Sequence, residues 1–148
     1  MTEASFYHLQ STPLEKALPK LLDKIYSLKL RTIVLVDSEE RLSELNMVLW
    51  TFSSGAFLPH GSAKEGFPED QPIWLTTRLE NPNDASVIVI TNGMTLDNLD
   101  GFERIIDIFS GRDEDQVSEA RKRWKNYSSK GIPLTYWKQT QEGSWEKQ

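Results

Sequence analysis

The chain has 148 residues, a formal net charge of −5 and no cysteine. That length suits one domain, residues 1–148, with a proper core; the missing cysteine excludes a disulfide framework and any thiolate metal site, and a pI of about 5.1 speaks against a broad nucleic-acid surface. The opening "MTEASFYHLQ" lacks a secretory signal's basic start and apolar core, and "TIVLV" and "VIVI" fall far short of the ~18–20 residues that cross a bilayer, so a cytoplasmic protein without membrane contact is expected.

"SFYHL" (residues 5–9) reads as a first strand. "TPLEKALPKLLDKIYSL" follows as a helix with Thr12 as N-cap and Pro13 in the first turn. Leu14, Leu18, Leu21, Leu22 and Ile25 recur there at helical spacing, and Pro19 is expected to interrupt or kink it. "RTIVLVD" (31–37) is a near-continuous apolar run, the mark of a strand covered on both faces. "SEERLSELNMVLW" (38–50) places Ser38 and Arg41 as a partial capping box before an amphipathic helix through Leu42, Leu45, Leu49 and Trp50.

A Gly-, Pro- and Ser-rich loop over about residues 52–72 comes next, long enough to be either functional or disordered. "IWLTT" (73–77) and "SVIVIT" (86–91) are two further strands around the turn "NPND", and "RIIDIF" (104–109) is another apolar run. A last helix is expected over about 113–130, then the alternating strand "PLTYWKQ", with "EGSWEKQ" as a short extension or a frayed tail. Strands alternating with helices, two of the strands almost wholly apolar, predict an α/β three-layer sandwich with a mostly parallel sheet.

Such a sheet invites a search for nucleotide binding, but neither G-x-x-x-x-G-K-[ST] nor G-x-G-x-x-G occurs. Gly55, Gly61 and Gly66 are too dispersed for a phosphate cradle and read as a mobile surface loop. The two histidines, His8 and His60, have no partner at a recognised ligand spacing, so no metal or other cofactor is expected; His8, in a strand, reads as structural. No G-x-S-x-G elbow exists, and the acidic pairs fall at helix starts, where the macrodipole accounts for them. Nothing resembles an active site.

The last helix is more informative. Its stretch "ARKRWKNYSSKG" holds five of the 17 Lys and Arg residues within ten positions. Helical spacing puts Val117, Ala120, Trp124 and Tyr127 in one stripe, with Arg121 beside Trp124 and Lys125 further round. One reading is a docked helix with a solvated basic margin. The other is a site for a short acidic peptide with an apolar end and a free carboxylate, since arginine forks carboxylates and an indole supplies an apolar floor.

The strings "FYHL", "VLWTFSSGAFLPHG", "PIWLT", "RIIDIF" and "ARKRWKNYSSKG" occur in the order of one family, the chi subunits of bacterial DNA polymerase III, which the chain resembles over nearly its whole length. The resemblance implies a nucleotide-binding-like α/β fold without its phosphate loop. It implies a non-catalytic accessory subunit of the polymerase III holoenzyme that links the clamp loader to the acidic C-terminal tail of single-stranded DNA-binding protein. By position, Arg121 matches the base that holds the tail and Trp124 the aromatic that packs its apolar end. Val117 falls where a base is frequent, with Lys125 as a partial replacement, and Thr135 and Tyr136 align with the far wall. Trp50, Phe57, Pro59 and His60 match a surface for a psi subunit, another clamp-loader component or a helicase. Core packing is the competing reading for Trp50, and ordering of the loop for Phe57. Two other functions stay open: a small nucleotide-binding or enzymatic α/β domain by fold analogy, and direct DNA binding by the basic helix, of which little or none is expected.

Overall fold

The computed structural model describes residues 2–51, 58–91 and 101–148. Its elements run β1 (Glu3–Leu9), α1 (Leu14–Ser27), β2 (Thr32–Leu35), α2 (Glu39–Thr51), β3 (Ile73–Thr76), β4 (Val87–Thr91), β5 (Arg104–Ser110), α3 (Glu114–Ser129), β6 (Leu134–Gln139) and β7 (Trp145–Lys147), with one 3-10 turn at Pro68–Asp70. The strands form one sheet in the order β3-β2-β4-β5-β1-β6-β7. All its pairings are parallel except β6 with β7.

The apolar runs become strands because helices cover both faces. Leu18 and Leu22 of α1 pack with Leu45 and Leu49 of α2 against Val34, Val89 and Ile108 on one face. Ala120 and Tyr127 of α3 pack with Phe6, Ile33, Ile88 and Ile105 on the other. Every residue of β2, β3 and β4 is buried, as unbroken apolar runs require. The expected three-layer α/β sandwich is the architecture found. Among the described residues no helix is long and apolar enough to cross a membrane.

Local chemistry follows the sequence in most places and departs from it in four. Ser38 does cap α2: its Oγ accepts the Arg41 N–H at 3.1 Å. Thr12 does not cap α1, where Pro13 is the N-cap residue and no side chain takes part. Its hydroxyl instead accepts from Gln139 Nε2 at 2.7 Å, while Gln139 Oε1 accepts the N–H groups of Gln10, Ser11 and Thr12 at 3.0, 3.0 and 3.1 Å. One buried amide side chain thus satisfies the whole β1–α1 turn. Helix α1 also runs on through Pro19, which is buried within it.

The third departure is the long loop. Leu58, His60, Gly61 and Ser62 are buried, and Gly61 pairs with the outer edge of β3: its N–H bonds Ile73 O at 3.0 Å and its carbonyl accepts from Leu75 N at 2.9 Å. Gly61 is thus a buried, sheet-paired residue rather than part of a mobile surface loop. Gly55 lies outside the described residues. Fourth, Trp50 does not complete the buried face of α2, which consists of Leu42, Leu45 and Leu49; the indole is 49% exposed. The C-terminal "EGSWEKQ" resolves as the edge strand β7, whose Trp145 stands edge-on to Tyr7 with ring centroids 5.1 Å apart.

Candidate functional site

Helix α3 starts where Asp113 accepts the N–H groups of Asp115 and Gln116 at 3.0 and 3.3 Å, a side-chain cap reinforced by acids in the first turn. Its buried residues are Ala120, Arg123 and Tyr127. Arg123 is the member the sequence reading missed. Only 2% exposed, it forks Asp107 of β5, with Nε to Oδ2 at 2.5 Å and Nη2 to Oδ1 at 2.9 Å. Burial holds the Asp107 carboxyl above its usual range, and the guanidinium offsets only part of that rise. This forked pair bolts α3 to the sheet and sets the rotation of the helix.

That rotation leaves Trp124 half-buried and Arg121 and Lys125 exposed. The Trp124 ring stands edge-on to Phe6 at 5.3 Å and to Tyr136 at 5.8 Å, favourable geometry for aromatic pairs. Between α3 and β6 opens a groove of about 300 Å³, floored by Phe109, Ala120 and Trp124, walled by Val117 and Tyr136, and rimmed by Arg121 and Lys125. Among the described residues neither Arg121 nor Lys125 forms an ion pair. The groove therefore offers an apolar floor and a positive rim.

Five of the six residues expected at this site, Val117, Arg121, Trp124, Lys125 and Tyr136, converge on one groove. Thr135 does not. It pairs in register with Ser5, whereas Tyr136 pairs with Phe6 beneath α3. Successive strand residues point to opposite faces, so Thr135 faces the α1 side of the sheet. Phe109 and His8 belong to the site without having been anticipated there. The ring of His8 lies 5.2 Å from that of Phe109, and its Nδ1 hydrogen-bonds the Tyr136 hydroxyl. Burial, with Lys138 and Arg121 adding to it, holds the His8 imidazole below its usual pKa, and burial raises that of Tyr136.

The second set of expected residues is divided. Phe57 lies outside the described residues. Trp50 is exposed, and its ring centroid lies 4.8 Å from that of His60. His60 itself is not a surface residue: it is 4% exposed, and its Nδ1 donates to the Leu58 carbonyl at 2.7 Å. It supports the indole from beneath, with Pro59 partly exposed beside it. Trp50 and Met47 overlook a wider groove of about 570 Å³ between α2 and the end of β3, lined by Glu39, Glu65 and Glu80 as well as Lys64 and Arg78.

In open α/β sheets nucleotides sit at the carboxyl ends of strands where the chain reverses its winding, here between β1 and β5. That crevice holds the carboxylates of Glu15 and Asp113, and Glu15 is joined to Arg41 at 2.6 Å. The Asp113 carboxylate takes the α3 N–H groups that a phosphate would need. Among the described residues no cluster of three or more His, Asp or Glu side chains is placed to hold a metal ion.

Comparison with known proteins shows the family. The family described as "DNA polymerase III chi subunit, HolC" matches residues 1–135. A protein of Rickettsia prowazekii (strain Madrid E), named "Probable DNA polymerase III subunit chi", is 34% identical over 109 residues, 74% of this chain. The matched stretch spans 66% of that relative's own length, just under two thirds.

Proposed function

The chain belongs to the family of DNA polymerase III chi subunits, and we propose that it serves DNA replication as a non-catalytic accessory subunit, joining the clamp loader to the acidic C-terminal tail of single-stranded DNA-binding protein in the cytoplasm. One observation carries the reading: the exposed guanidinium of Arg121 stands beside a half-buried indole on the rim of an apolar groove and has no ion pair among the described residues. A peptide end with an apolar side chain and a free carboxylate matches that arrangement. The side chain enters between Trp124, Phe109 and Tyr136, and Arg121 takes the carboxylate with two hydrogen bonds. Lys125 meets an acid further up the tail, in part making good the charge that Val117 does not supply.

Trp50, Pro59 and Phe57 are proposed as a separate contact for a psi subunit, another clamp-loader component or a helicase. The 49% exposure of Trp50 favours contact over core packing for that residue. The tail reading is tested by titrating the protein with an Asp-rich, Phe-terminated peptide and with the same peptide amidated at its end. Saturable binding of the free acid, lost on amidation, is the expected result. Equal binding of both peptides, or of neither, sinks it. A pull-down with intact and tail-deleted single-stranded DNA-binding protein extends the test to the whole partner.

A further inference from the structure

We infer that His8 is a positioning residue of the α3–β6 groove, one that aims the Tyr136 hydroxyl at a bound carboxylate and takes up a proton as an acidic ligand seats. The inference rests on the tail-binding reading and concerns how that site is regulated. His8 lies on β1 between β5 and β6, in register with Phe109 and Lys138. It cannot swing away easily, because the backbone of Gly111 closes over the ring; a Cβ there would fall 1.9 Å from Nε2. Its Nδ1 is already engaged with the Tyr136 hydroxyl. A neutral imidazole with its lone pair on Nδ1 accepts the phenolic proton and leaves the hydroxyl nothing to donate. A protonated imidazole can only donate, which frees that proton to point into the groove.

The surroundings decide when protonation occurs. The groups facing His8 are Tyr136 and Lys138 from β6 and Arg121 from α3. From the β5–α3 turn, Arg112 spends its Nε on the Gln10 carbonyl at 2.7 Å, and Asp113 spends Oδ1 on the helix cap. No carboxylate among the described residues forms an ion pair with the imidazole. In the empty groove His8 thus meets cations, and burial together with that charge depresses its pKa. A ligand bringing a carboxylate to Arg121 reverses the local field and raises it. The bound pKa then exceeds the free one, so the affinity gain is full below the free pKa and is lost as pH rises through the bound pKa.

The test uses the whole protein and the Asp-rich, Phe-terminated peptide, whose carboxylates stay ionised above about pH 5.5. With two histidines in the chain, their Cε1 signals are readily separated by NMR. The His8 midpoint should rise when peptide is present, and peptide affinity should strengthen about three- to tenfold between pH 8 and 5.5, tenfold corresponding to one pKa unit. His8→Gln and His8→Phe, each checked for a native melting transition, should flatten that profile. If wild-type protein binds the peptide but the His8 midpoint stays put and His8→Gln keeps the slope, the inference is overturned while tail binding stands. If wild-type protein does not bind the peptide at any pH, the tail reading fails and this one falls with it.

Discussion

Arg123 and Asp107 form a two-pronged ion pair inside the protein, with Nε–Oδ2 at 2.5 Å and Nη2–Oδ1 at 2.9 Å. Two residues earlier on the same helix, Arg121 is exposed at the groove. The buried arginine orients the helix; the exposed one is left for a ligand.

Removing one partner of the buried pair should therefore be severe. Arg123→Ala strands the Asp107 carboxylate in the core, and a loss of about 3–5 kcal/mol is expected in urea unfolding. The double change Arg123→Met with Asp107→Leu should recover most of that loss, because no charge remains to be buried. A single variant with wild-type stability contradicts this account.

Arg121→Ala should behave in the opposite way. Its melting temperature should match the parent, since the side chain is exposed and has no ion pair among the described residues. Affinity for the Phe-terminated acidic peptide should drop by about 1.5–3 kcal/mol, the scale for a hydrogen bond to a charged group. A thermal melt reads the first quantity and calorimetric titration the second, and unchanged affinity removes Arg121 from the site. Added salt should weaken the peptide only modestly, because its apolar end is not screened.

Gln139→Ala tests the clamp on the β1–α1 turn. The N–H groups of Gln10, Ser11 and Thr12 would lose their common acceptor. Because water can reach a partly buried turn, the expected cost stays near that of one orphaned group, about 1–3 kcal/mol. Hydrogen exchange should show those three amides losing protection ahead of the sheet.

Tyr127 supplies a prediction at high pH. Burial, with the Asp107 charge adding to it, pushes its phenol up to about 12 from an ordinary value of 10.0. A raised acid favours the folded state fully below the unfolded pKa, and that advantage disappears as pH climbs from 10 through 12. Its hydroxyl also has no hydrogen-bond partner among the described residues. Tyr127→Phe should thus be neutral or slightly stabilising at pH 7 and should blunt unfolding between pH 10 and 12, as followed by circular dichroism. A large loss at neutral pH points to a bond that the hydroxyl makes.

Much of the molecule was legible from local pattern. "TIVL" and "VIVIT" became fully buried strands because runs of that kind have nowhere to go but between helices. Ser38 caps its helix through a contact spanning three residues, a range that sequence alone specifies. Arg121, Trp124 and Lys125 reach one groove because helical spacing places them side by side.

Contacts between distant segments were not legible in this way. In "ARKRWK" two arginines look alike, and both lie at the edge of the apolar stripe. The one signal that separates them is an aspartate amid the apolar strand "RIIDIF", which demands a buried cation without saying which. Thr12 had the chemistry of a cap until Gln139, 127 residues away, took its hydroxyl. His8 and Gly61 look isolated in the sequence, and Tyr136 and β3 give them their roles.

What the sequence alone determined was the set of elements, their order and the faces of the last helix, because periodicity and capping act within a turn or two of chain. What only the tertiary structure decided was which arginine the core consumed, which side of β6 faced α3, and that Trp50 stayed outside. Those outcomes depend on the strand order that brings β1, β5 and β6 together, and burial there is settled by neighbours far away along the chain.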